Sequence, residues 1–300
     1  MARAARQLKL AGVFASSITP RRADTQDPDF SGMLDLLDFL ADGGVQGVCL
    51  FGTTGELLNY SFAERQRLLY LGVKRSRVPL LAGVSHSTLA GALHLAEEAI
   101  AAGADALLLM PPWFYQYGPR EIEEFYVQFA RETGDAVPLL IHNQPHNTSK
   151  LEFELLCRLI DSGRFAGIED SSGDPAFFQH LLELKSQRPL ALFNGDDRTA
   201  ADSLRAGADG IISSAACPLP ELVTALARAI ATGENVLAET LNARLLEFVC
   251  RADRFPEPVA VKRAVELRGQ KSAPPLTPLA SETEQALAEF SSWFNGWLLK

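Results

Sequence analysis

The chain has 300 residues, 47% of them hydrophobic and 22% charged, with a formal net charge of −9. That length and apolar fraction suffice for a full core, so the composition is that of a globular rather than a disordered protein. The acidic balance and the lack of any Lys/Arg block exclude nucleic acid and anionic membrane surfaces as expected partners.

Along the chain, a basic start, Met1 to Lys9, leads into a short apolar run over Ala11 to Ile18. The run passes straight into Thr19-Pro20 without a small-residue cleavage site, so it reads as a first strand rather than a signal peptide. Further strand candidates follow at Gly47–Phe51, Pro79–Val84, Ala106–Met110, Pro138–His142, Phe165–Glu169, Ala191–Asn194 and Gly210–Ser213. With Gly12–Ser17 they make eight, each short and rich in Val, Ile, Leu or Phe, as strands buried on both faces should be. Amphipathic stretches separate them. Leu36 and Leu40 share one helical face, and Leu89, Leu93, Ala96 and Ile100 form a stripe at 3–4 spacing.

One joint recurs three times, at Ala41–Val48, Ala101–Leu107 and Arg205–Ile211: a helix end, a glycine stop, then an entering apolar strand. Strict alternation of strand and helix with a repeated joint predicts an α/β fold, a (β/α)8 TIM barrel. An open doubly wound sheet fits less well, because no G-x-G-x-x-G turn follows the first strand. After Ser213 the patterns at Pro220–Thr232, Glu234–Arg251, Pro258–Arg268 and Glu282–Leu299 are helical. The expected organisation is a barrel over residues 1–232 and a three-helix C-terminal extension over 233–300, packed on it without a linker. No stretch is long enough to span a bilayer. Cys49, Cys157, Cys217 and Cys250 show no C-x-x-C spacing, so neither zinc nor a redox dithiol is signalled, and a reducing cytoplasm is the expected compartment.

In such a barrel chemistry sits at the C-terminal ends of the strands. After the second strand stands Gly52-Thr53-Thr54-Gly55-Glu56, a turn whose amides and hydroxyls suit a small carboxylate, although the same spacing fits a plain tight turn. After the fourth comes the aromatic run Trp113-Phe114-Tyr115, a lid, a subunit contact or surface packing. After the fifth, His142-Asn143-Gln144-Pro145-His146-Asn147-Thr148 carries two histidines. Pro145 disfavours a helical ligand pair, and no metal or other cofactor is expected. After the sixth, Gly167-Ile168-Glu169-Asp170 ends on a carboxylate, and the eighth carries Ile212.

These segments resemble the dihydrodipicolinate synthase / N-acetylneuraminate lyase family over nearly the whole chain. Gly52-Thr53-Thr54-Gly55-Glu56 is similar to its pyruvate-carboxylate loop, which implies that Thr53, Thr54 and Gly55 bind a small carboxylate or 2-oxo acid. Asn143, Ile212 and, through a shifted loop, Tyr115 join them as implied substrate-binding residues. The resemblance places Glu169 at the family's imine-forming lysine, His142 and Phe114 at its relay tyrosines and Asn147 at its arginine. A carboxylate forms no imine, so the usual chemistry is not expected. Only Lys150 lies near a strand end as a substitute amine. His142 and Glu169, on neighbouring strands, are instead the catalytic candidates, as an acid–base pair or as an inert ion pair. The resemblance further implies a lyase-like, pyruvate aldolase-like protein and a homo-oligomer, tetramer or dimer. The alternative is a non-catalytic ligand-binding or scaffold homologue.

Overall fold

Eight short apolar strands can bury both faces only if helices cover the outside and side chains fill the inside. The computed structural model describes residues 8–299. The basic stretch before Leu8 and the terminal Lys300 lie outside the described residues. Strands β1 (Gly12–Ser16), β2 (Gly47–Leu50), β3 (Leu80–Gly83), β4 (Ala106–Leu109), β5 (Leu139–Asn143), β6 (Gly167–Asp170), β7 (Ala191–Asn194) and β8 (Gly210–Ser213) pair in parallel and in sequence order into a closed barrel. Between and after them run α1 (Phe30–Asp42), α2 (Phe62–Arg75), α3 (Leu89–Ala102), α4 (Pro119–Thr133), α5 (Phe153–Asp161), α6 (Pro175–Gln187), α7 (Ala200–Ala206) and α8 (Pro220–Thr232). Helices α9 (Asn235–Ala252), α10 (Val259–Leu267) and α11 (Ser281–Leu298) follow the barrel. The fold is the expected TIM barrel with trailing helices, and every strand end falls within two residues of the sequence reading.

Local chemistry sets the element ends. Asp29, Thr88 and Asp174 cap α1, α3 and α6 by accepting from backbone amides, and Ser61 and Glu64 form a reciprocal capping box on α2. At the recurring joint, Gly44, Gly103 and Gly207 take the left-handed conformation that lets the chain leave a helix and enter a strand. One helix face differs from expectation. The buried face of α3 is Ala92, Leu95, Ala96 and Ala99, while Leu89, Leu93 and Ile100 are only partly buried at its flanks. Alanines let α3 lie close on the strands, so the larger side chains are turned to the edges of the contact.

Inside the barrel, Phe14, Cys49, Leu81, Ala106, Leu108, Leu140, Phe193 and Ile212 pack as a separate cluster. Phe14 and Phe193 meet edge to face, 5.3 Å between centroids. Gly47 makes room for them, since a Cβ there would lie 2.1 Å from the Phe14 ring. The lower barrel is thus filled by apolar side chains, and polar ones begin only at the C-terminal strand ends. Over that end lies the extension. An aromatic cluster of Phe248, Phe290, Phe294 and Trp297 joins α9 to α11. Buried Lys262 of α10 pairs with Glu56 at 2.9 Å, tying the extension to the turn after β2.

Candidate functional site

Side chains alternate along a strand, so a single inward residue fixes the next. On β5 and β6, His142 and Glu169 are direct register partners, and both point inward. His142 Nε2 stands 2.8 Å from Glu169 Oε2, with side chains only 7% and 2% exposed. The approach is out of line, so Oε2 has no hydrogen-bond donor. The other oxygen, Oε1, accepts from Ser171 Oγ at 2.6 Å. Ser171 stands two residues beyond Glu169 and so shares its face. Opposite them Gly195 carries no side chain, and a Cβ there would lie 1.7 Å from Glu169 Oε1. Beneath, burial and then the charge of Glu169 push the Cys49 thiol up to about 12, which keeps it protonated and unreactive.

The residues beside this pair face the other way. Asn143 Nδ2 donates to Asp170 Oδ1 at 2.6 Å, and Ser172 Oγ donates to its second oxygen at 2.9 Å. Burial lifts Asp170 to about 6 despite both hydrogen bonds. This is a buried network between barrel and helices.

The turn after β2 makes the facing wall. Left-handed non-glycine residues, Phe51 (φ 60°) and Glu56 (φ 53°), stand at its two ends. Arg65 holds it from outside: its guanidinium lies 5.2 Å from the Phe51 ring centroid and donates to Gly83 O at 2.6 Å. Burial lowers that arginine to about 10. Thr19 Oγ1 donates to Gly55 O, and Thr54 Oγ1 donates to Glu257 Oε1 at 3.1 Å. Among the described residues, the amides of Gly52, Thr53 and Thr54 donate to no protein group. All three residues line the cavity, so their amides are donors without a protein acceptor on one turn.

These walls enclose a cavity of about 370 Å³ with an open mouth. It brings together Thr53, Thr54, His142, Glu169 and Ile212, with Asn147 and His146 nearer the rim. Gly55, Asn143 and Tyr115 are not among its walls. Gly55 is pressed against Phe51 and Ser17 backbone, Asn143 faces outward, and Tyr115 is 67% exposed beside Phe114 at 82%. The aromatic run therefore leaves the cavity open. No lysine of the described residues lines it: Lys150 is exposed and Lys262 is engaged with Glu56. Among the described residues no group of three or more metal-ligating side chains occurs.

The cavity is also lined by Ser16 and Arg198, and by Ser171, Gly195, Asp196 and Glu257, which lie in family-like segments of the sequence but carry no site role there. Ser171 was available from two-residue alternation. Asp197 belongs with them, but as an anchor: it accepts from Ser213, from Ser214 at 2.9 Å and from the Ala215 amide at 2.8 Å. Glu257 arrives from the extension, and nothing local in the sequence brings it to the barrel mouth.

A family model, the dihydrodipicolinate synthetase family, matches residues 9–294. The 4-hydroxy-tetrahydrodipicolinate synthase of Methanothrix thermoacetophila is 30% identical over 282 residues, 93% of this chain and 95% of that one. Among solved structures, dihydrodipicolinate synthase from Aquifex aeolicus superposes with a TM-score of 0.85 at 25% identity, covering 95% of this chain and 98% of that one. The chloride-inhibited dihydrodipicolinate synthase of Acinetobacter baumannii, complexed with pyruvate, gives 0.87 at 24% identity, with 96% and 99% covered.

Proposed function

The chain belongs to the dihydrodipicolinate synthetase family, and from that premise we propose that it is a lyase-like member that holds a small carboxylate above the His142–Glu169 pair. It does not use a lysine imine. The carrying observation is the 2.8 Å approach of two titratable side chains in register on β5 and β6, at the base of an open cavity. An imine needs an amine nucleophile, and Glu169 offers only lone pairs. A histidine beside a carboxylate can move a proton. In this reading His142 exchanges a proton with the ligand, and Glu169 orients the ring and balances its charge. The unpartnered amides of Gly52, Thr53 and Thr54 receive the ligand carboxylate, with Ile212 packing against it. The pyruvate held by the Acinetobacter protein supports a small carboxylate, of which 2-oxo acids are the first to try, as the ligand class. Residues 233–300 act as part of the site rather than as a separate module, because Glu257 and Phe255 stand in its wall. The exposed Phe114 and Tyr115 are the proposed contact of a homo-oligomer.

A panel of small carboxylates in D2O, followed by NMR for proton exchange beside the carboxylate, tests this. Exchange that falls about 10²–10⁴-fold in His142→Ala and Glu169→Gln supports the acid–base pair. Exchange unaffected by both changes refutes it. Binding without any exchange would make the chain a ligand-binding homologue.

A further inference from the structure

Glu169 reverses the polarity of the barrel's centre. An amine at this position would donate, whereas a carboxylate only accepts. Its Oε1 is taken by Ser171, and its buried Oε2 has no aligned donor. The surrounding walls carry the carboxyl groups of Glu169, Asp196, Asp197, Asp253 and Glu257 against the Arg198 guanidinium and the imidazoles of His142 and His146, with Asp197, Asp253 and Glu257 raised by burial. That guanidinium is already paired, 2.9 Å from Asp196 and 3.9 Å from Asp253. A cavity of this sign favours a ligand that carries a cationic group beside its carboxylate over one with a net negative charge.

A 2-oxo acid fits such a site poorly. It brings a net negative charge, and its keto oxygen would face the oxygens of Glu169, acceptor against acceptor. A 2-amino acid has the same carboxylate for the Gly52–Thr54 amides, no net charge, and an ammonium with three donors two bonds away. We propose that this pocket selects small 2-amino acids over the matching 2-oxo acids, with Glu169 receiving the ammonium. The inference rests on the carboxylate reading of the Gly52–Thr54 turn. His142 Nε2 lies 2.8 Å from Oε2 without an aligned hydrogen bond, so that oxygen keeps acceptor capacity for the ammonium beside the imidazole. The cavity of about 370 Å³ exceeds a three-carbon acid and leaves room for a longer side chain.

The test compares L-alanine, L-lactate and pyruvate by isothermal titration calorimetry with the full chain at pH 8. The three share the carboxylate and differ only at C2. Alanine is expected to bind at least about tenfold tighter than pyruvate, and Glu169→Gln to shrink that preference to about threefold or less, since an unpaired ammonium loses a charge-assisted bond. Pyruvate binding as tightly as alanine, or lactate binding more tightly than alanine, overturns the inference and leaves the carboxylate pocket standing. Binding of none of the three overturns both. An unchanged preference in Glu169→Gln overturns the assignment to Glu169, and the wild-type comparison decides alone should that variant not fold.

Discussion

Gly195→Ala isolates how tightly the centre of the site is built. Gly195 lies outside the left-handed region, so alanine meets no backbone penalty and the effect is steric. The added Cβ would lie 1.7 Å from Glu169 Oε1 and 2.0 Å from Ser171 Oγ. One of the three must move, and the Glu169 carboxylate has only the Ser171 hydrogen bond and the His142 contact to hold it. Overpacking costs about 1–3 kcal/mol. Pulling a buried carboxylate from its donor adds about 1–3 kcal/mol. The expected loss is therefore about 2–6 kcal/mol in urea unfolding, with ligand affinity falling as well. Removing the obstructed group should relieve it: in a Glu169→Ala background Ser171 loses its acceptor and can rotate, so Gly195→Ala should cost less than about 1 kcal/mol. That difference is the coupling of a double-mutant cycle. Equal costs in both backgrounds would refute the packing argument.

Asp170 gives a pH signature of defined sign. Its carboxyl is raised to about 6 from an ordinary 3.8, so the folded state binds the proton more tightly than the unfolded one. That contribution is fully present below pH 3.8 and is lost as pH rises through about 6, up to about 3 kcal/mol in all. Asp170→Asn keeps acceptor and donor for Asn143 and Ser172, and its stability relative to wild type should climb between pH 4 and 6 in urea titrations; a flat difference would contradict this. Lys262→Met should cost about 3–5 kcal/mol by leaving Glu56 buried without its cation, and adding Glu56→Leu should recover most of it, read as urea midpoints. Phe114→Ser with Tyr115→Ser should lower the mass found by light scattering after size exclusion, and an unchanged mass would remove that loop from any interface.

The barrel was legible because its signals are local: apolar strands of fixed length, glycines at helix ends and a repeated joint. The pairing of His142 with Glu169 followed from the same order, since consecutive strands of a barrel are neighbours and the register sets them opposite each other. Asn143 shows where likeness to a family misleads. It sits next to inward His142, so alternation sends it outward to Asp170, whatever its place in a motif. The contributions of Glu257 and Gly195 were not legible, because the first depends on how the extension crosses the mouth and the second on a void that only the fold defines. On α3 the spacing of large residues pointed to one stripe while close packing favoured the alanines beside it.

Whether the barrel works without an imine is tested most directly by borohydride trapping. The protein is incubated with pyruvate and with a longer 2-oxo acid, reduced, and its intact mass recorded. The predicted result is an unchanged mass for the wild type, and in parallel an adduct for Glu169→Lys, which returns an amine to the end of β6. A stable adduct on the wild-type chain, mapped to Lys150 or any other lysine, would contradict the account.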